Sequence, residues 1–329
     1  MRIFVVGIFA TLLSIAVCAF SLAMPRSASA GVYQVAPSAT PSPAPSPTVA
    51  PAPSFTPMKP SAILTPNSPT PTPAPTAEPE PVEPEPTLTP TPTPEPRTLK
   101  KFLQIALQPV GTTMYIYGGG WNEDDTAAGP EALTIGLSQR WIDFAKKQDS
   151  TYNHRIHRYE IHNGLDCTGF IGWAIFNLMP NSTGYVFWSD GCAKSLSDYG
   201  LGSFTKRANV KVHQTGDIMS TEGHAWISLG EASDKSVVIL HASPPGTALW
   251  GTQTGSKTSG AAKLADEYMA KYFPSWHAKY PQVAKTDRKY VTSYDQFKWD
   301  PSILPDPDGY REMPVEDMLK DLFEGMEPR

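Results

Sequence analysis

Apolar positions recur along this chain at two periods, and the changes of period mark its elements. Leu99, Phe102, Leu103, Ala106 and Leu107 fall at helical spacing, and Pro109 and Gly111 end that helix. Met114 to Tyr117 then reads as a short aromatic strand running into Gly118, Gly119 and Gly120, where missing side chains let backbone approach another element closely. From Glu131 to Lys147, Leu133, Leu137, Trp141, Ile142 and Phe144 share one side and the charged residues lie mostly elsewhere, which predicts an amphipathic helix. Phe170, Ile171, Trp173, Ala174, Ile175, Phe176 and Leu178 are dense enough for a buried helix. After a loop at 181–203 with a helical patch near Cys192 to Leu196, the period changes to two. Gly223 to Gly230 alternates, with Ala225, Ile227 and Leu229 on one face and His224, Trp226 and Ser228 on the other. Val237 to His241 reads as a second strand, antiparallel to the first across a turn at 231–235. Two further helices are predicted at Ala261–Phe273 and Pro314–Met326.

Upstream of residue 98 the pattern disappears. Arg2 precedes an apolar stretch from Ile3 to Met24, and Ala28 and Ala30 stand at the spacing of a signal-peptidase site. Residues 1–30 therefore read as a signal peptide cleaved after Ala30 or, since the stretch 3–24 is long enough to span a bilayer, as an uncleaved membrane anchor. Either way the rest is expected to be exported: secreted or extracellular, associated with a cell wall, or held to the membrane at its N-terminus. Residues 31–97 are rich in Pro, Thr, Ser and Ala, with Glu at the end, and hold most of the 35 prolines of the 329-residue chain. They carry too little apolar surface for a core and favour hydrated polyproline II, which at about 3.1 Å per residue over the roughly sixty residues from Ala36 to Arg97 makes a spacer of up to about 190 Å. The predicted organisation is a signal segment (1–30), a disordered linker (31–97), a catalytic domain (98–250) and a C-terminal helical extension packed on it (251–329). The formal charge of −5 argues against a nucleic-acid partner. Of three cysteines, a chain cleaved after Ala30 keeps Cys167 and Cys192.

The candidate chemistry centres on Gly164-Leu165-Asp166-Cys167-Thr168-Gly169-Phe170. Asp166 or Thr168 can cap the buried helix, which puts Cys167 at its first turn, where free N–H groups and the positive end of the helix dipole favour thiolate. A lowered thiol pKa is the expectation, with a buried or disulfide-bonded structural cysteine as the other reading. Antiparallel pairing sets the start of one strand beside the end of the next, so His224 and His241 are expected to be neighbours. A cysteine nucleophile needs a base, an orienting group and oxyanion donors. Cys167, His224 and His241 supply the first three roles, and the Cys167 backbone N–H and Tyr115 hydroxyl are candidates for the last. Trp226, on the face of His224, is a candidate substrate contact. His154, His157 and His162 fit no closed metal site by spacing and read better as a solvated basic surface or a rim for an anionic substrate. No metal or cofactor is expected.

These pieces resemble the NlpC-type family of papain-like cell-wall cysteine peptidases. The matching stretches are Tyr115-Ile116-Tyr117-Gly118-Gly119, Asp166-Cys167-Thr168-Gly169-Phe170, Gly216-Asp217-Ile218, Gly223-His224-Ala225-Trp226-Ile227 and Leu240-His241-Ala242-Ser243, in family order between Thr98 and Gly246. The resemblance implies a papain-like α+β fold, with the cysteine helix packed on a small antiparallel sheet and extra helices in an insertion and the C-terminal tail. It implies the same roles for Cys167, His224 and His241, and sets Tyr115 and Asp166 near the substrate. The substrate implied is the stem peptide of peptidoglycan, cut between D-γ-glutamate and a diamino acid; the chain itself is expected to be a monomer. An N-acetylmuramoyl-L-alanine amidase or acyl transferase on the same fold, and a non-catalytic wall-binding module with Cys167 tied to Cys192, are the alternatives. The chain departs from the family in the roughly forty-five residues between Gly119 and Asp166, and in the tail beyond Gly251.

Overall fold

The computed structural model describes residues 96–120, 133–158, 160–253, 258–282, 284–285 and 289–329. The predicted signal segment, the linker up to residue 95 and the acidic loop at 122–129 lie outside the described residues. Among the described residues no helix is long and apolar enough to cross a membrane.

The fold is mixed α+β. Its helices are α1 (Leu99–Leu107), α2 (Gln139–Lys146), α3 (Cys167–Leu178), α4 (Cys192–Asp198), α5 (Gly260–Tyr272), α6 (Pro274–Lys279), α7 (Lys289–Thr292) and α8 (Val315–Leu322). The strands are β1 (Met114–Tyr115), β2 (Gly164–Leu165), β3 (Gly202–Thr205), β4 (Ile218–Thr221), β5 (His224–Glu231), β6 (Val237–Ser243), β7 (Gly246–Thr252), β8 (Ala284–Lys285) and β9 (Asp295–Trp299). They join in one sheet of order β2-β1-β7-β6-β5-β4-β9-β3, with β8 on β7. Every pair is antiparallel except β1/β2 and β7/β8.

The sheet is larger than the small one expected, and the tail explains most of the difference. The 251–329 segment is not helical cover alone: β9 lies inside the sheet, between β4 and β3. Asp295 fastens it there. This carboxylate is 2% exposed and accepts from the Arg207 backbone N–H at 2.8 Å, Arg207 Nε at 3.0 Å and Lys206 Nζ at 3.0 Å. Burial raises its pKa, but those donors overcome the cost and hold it below the ordinary value.

β6 is buried along its whole length and touches both α3 and α5, which is why its sequence reads as an unbroken apolar run. α3 also packs on α1 and β5, while α8 packs against β5 and α1. Trp141 and Trp173 meet edge to face at 6.0 Å, joining α2 to this core. The predicted helix over 131–147 is shorter in the structure. Residues 131–132 lie outside the described residues, and Gly136 stands at φ +80° with its N–H donated to Asn177 Oδ1 at 2.6 Å. That left-handed turn keeps Leu133 and Leu137 out of the helix, which begins at Gln139.

Candidate active site

Cys167 is the first residue of α3, and Asp166 caps that helix through Oδ1, which accepts from Gly169 N–H at 2.7 Å. Asp166 Oδ2 accepts from Gly118 N–H at 3.1 Å, and Gly119 C=O accepts from Asp166 N–H at 2.9 Å. The helix start and the Gly118–Gly120 turn are thereby one unit. A Cβ on Gly169 would stand 2.0 Å from Gly119 O, and one on Gly119 would stand 2.3 Å from Gly164 O. The glycines of the two motifs are there because backbone lies directly on backbone.

His224 opens β5 and His241 lies near the end of β6. Ile227 faces Leu240, so the next antiparallel pair sets Trp226 opposite His241 and leaves His224 diagonal to it on the same face. His224 Nε2 and His241 Nδ1 are 2.9 Å apart, with the rings at 71°. His241 is fully buried and meets Trp250 of β7 edge to face at 5.0 Å. Cys167 belongs to the same neighbourhood: the backbone N–H of Ala225, the residue after His224, is near enough to favour its thiolate. The backbone N–H groups of Thr168 and of Cys167 itself act in the same direction.

The expected low thiol pKa is overturned. Burial, with Cys167 only 6% exposed, and the adjacent Asp166 charge push the thiol up to about 12, and three backbone N–H groups offset only part of this. The helix dipole loses to desolvation, so a thiolate here requires a proton acceptor. Cys192 is fully buried at the first residue of α4 and close enough to sense charge on Cys167 and Asp166; burial chiefly holds its thiol well up. Both cysteines are free.

Tyr115 is half-buried; burial first, then Cys167 and Asp166, raises its pKa, so the phenol stays protonated and able to donate. Asp166, expected near substrate, is 5% exposed and spends both oxygens on the capping network. Trp226 must be corrected. It is fully buried, stacked near His213 and edge-on to Tyr294 at 5.5 Å, and has no surface for substrate. A tryptophan on the histidine-bearing face of a strand lies under whatever covers that face, and here Tyr294 of the tail covers it.

Two of the insertion's three histidines pack against tyrosines. His154 meets Tyr115 edge to face at 5.7 Å, while His157 stacks on Tyr152 at 5.4 Å and binds Glu160 at 3.0 Å. Tyr152 donates to Tyr115 C=O at 2.7 Å, pinning the insertion to β1. Among the described residues no group of three His, Cys, Asp or Glu side chains is placed to hold a metal ion.

Two rim features were not foreseen. Arg158 lies over the exposed Tyr117 ring at 4.5 Å, and the exposed Trp188 precedes Ser189, whose Oγ accepts from Gly223 N–H at 2.9 Å beside His224. A third comes from the tail: Tyr290 and Tyr294 stand 5.8 and 6.4 Å from the His224 ring. Their spacing of four residues was the only sequence signal for a shared face. Comparison with protein-family models, curated proteins and solved structures found no match.

Proposed function

We propose that this chain is a thiol hydrolase of the NlpC-type, papain-like kind, acting on the stem peptides of peptidoglycan. One observation carries the chemistry: His224 and His241 share a 2.9 Å hydrogen bond, and the Ala225 N–H next to His224 is near enough to Cys167 to favour its thiolate. With Nε2–H of His224 donated to Nδ1 of His241, Nδ1 of His224 is the basic nitrogen. It takes the Cys167 proton, the sulfur attacks an amide carbon, and the imidazolium returns the proton to the leaving amine. Water activated by the same nitrogen then cleaves the thioester. The Cys167 N–H and the protonated Tyr115 phenol are the donors for the intermediate's oxyanion. The stem-peptide substrate, with the bond between D-γ-glutamate and a diamino acid as the site of cleavage, rests on the five ordered motifs and on the proline-rich linker behind a predicted export segment.

The test is digestion of purified peptidoglycan followed by mass analysis of the soluble products. Wild type should release stem-peptide fragments, and Cys167→Ala and His224→Ala should release none. Glycan strands stripped whole of peptide would mean an amidase instead, and equal release by Cys167→Ala would reject the assignment.

A further inference from the structure

We infer that Trp188 is a sugar platform beside the catalytic pair, and that the preferred substrate is a stem peptide still joined to its glycan. The inference deepens the peptidoglycan reading above and rests on it.

The sheet order gives the site two sides. β1 and β5 are three strand spacings apart, about 14 Å, with β7 and β6 between them. Cys167, at the start of α3, interacts electrostatically with Tyr115 of β1, and the Ala225 N–H of β5 favours its thiolate, so the nucleophile stands between the two strands. Just past β1, Tyr117 lies under the Arg158 guanidinium at 4.5 Å, and Arg155 and Arg158 are both exposed. That side is cationic. The β5 side is not. Its neighbouring segment, 181–200, carries the charges Asp190, Lys194 and Asp198, and Lys194 Nζ donates to Asp198 Oδ2 at 2.7 Å. What the segment brings beside His224 is an indole. Trp188 is 70% exposed, and Ser189 after it accepts from the N–H of Gly223, the residue before His224, at 2.9 Å.

The loop that carries this ring is fixed at several points. Phe187, directly before Trp188, is buried, and it and Tyr185 pack on Tyr199 at 6.1 and 6.2 Å. The Tyr185 carbonyl lies on α3, where a Cβ on Gly172 would meet its oxygen at 2.0 Å. Trp188 C=O accepts from Gly191 N–H at 3.0 Å, and Ala193 N–H donates to Ser220 Oγ of β4 at 3.0 Å. A large apolar ring kept in water on a braced loop, next to a catalytic residue, is a preorganised contact surface.

The chemistry of the contact follows from the two sides. The stem peptide carries carboxylates, which the arginines past β1 complement. The sugar from which it hangs is uncharged and presents an apolar C–H face ringed by hydroxyls. A flat indole matches such a face, and the exposed Asp190, two residues on, supplies an acceptor for hydroxyls.

The experiment measures kcat/KM of the full chain on a disaccharide-tetrapeptide muropeptide and on the same tetrapeptide with its sugars removed. Wild type should favour the sugar-bearing compound about three- to tenfold. Trp188→Leu, apolar but without a flat ring, should bring the ratio close to one, and Trp188→Phe should keep most of it. A wild-type ratio of one, a ratio unchanged in Trp188→Leu, or a Trp188→Phe ratio as low as that of Trp188→Leu would each overturn the inference. Equal slowing of both compounds leaves the ratio unchanged, as a merely structural role would, and counts among the refuting results. If wild type cleaves neither compound, the hydrolase reading itself fails, and calorimetric affinities for the same two compounds then judge the platform by the same ratios.

Discussion

Asp217, in the turn that enters β4, ties the pH dependence of stability to one buried carboxyl. It is 4% exposed; Oδ2 accepts from Gln214 N–H at 2.8 Å and from Gln296 Nε2 at 2.7 Å. Burial nevertheless dominates over these bonds and over Lys298 and Arg311, and pushes its pKa from 3.8 to about 7. The folded state therefore holds a proton that the unfolded chain releases near pH 4. The stabilisation is complete below the unfolded pKa and is lost as pH rises through the folded value near 7. At about 1.4 kcal/mol per pKa unit, the whole effect is about 4 kcal/mol. Asp217→Asn keeps the size and an acceptor oxygen and removes the titration. Urea unfolding of both proteins between pH 4 and 8.5 gives the difference in free energy, in which titrations common to both cancel. The variant should gain on wild type by up to about 1.4 kcal/mol per pH unit across this window and level off above it. A difference independent of pH would refute the reasoning.

Two other substitutions probe the site and its support. Gly169→Ala drives a Cβ to 2.0 Å from the Gly119 carbonyl oxygen, both held by the capping network, so the helix start must shift by about 1 Å. That should cost about 1–3 kcal/mol in chemical denaturation and on the order of a hundredfold in peptidoglycan hydrolysis, and wild-type values of both would contradict the backbone-on-backbone contact. Asp295→Ala removes the anion that Arg207 and Lys206 share and should lower stability by about 1.5–3 kcal/mol at neutral pH. Because the Asp295 pKa is held low, that loss should shrink as the pH falls and wild type surrenders the same contribution; a loss that persists in acid would count against it.

The sequence carried the local parts of this site better than the covering ones. Helices α1 and α3 were legible because their apolar positions and stop signals lie within one stretch. The approach of His224 to His241 was legible only in outline, from β5 and β6 being adjacent in sequence and antiparallel; the bulge between Ser228 and Gly230, which shifts the register by one and brings the two rings to one face, was not. Strand β9 was not, since Asp295 and Gln296 are polar yet buried, satisfied by residues some 80 to 90 positions away. Only tertiary partners make such a segment a strand interior. The same tail covers Trp226 and brings Tyr290 and Tyr294 beside His224, so the misassigned substrate contact and the unforeseen tyrosines share one cause. The thiol was misjudged because sequence displays the helix start but not the depth at which it lies. Gly136 was missed because its left-handed turn depends on Asn177, across the core in α3.

The account stands on a proton passing from a buried sulfur to His224, and the pH profile of Cys167 alkylation reads that transfer directly. Wild type should already be modified rapidly at neutral pH, while His224→Ala should react only as the pH climbs toward the unaided ionisation of a thiol pushed up to about 12. Cys192 in the same samples should stay unmodified while the fold is intact, as its complete burial requires. A wild-type profile that begins only in strong alkali and overlays that of His224→Ala would contradict the account.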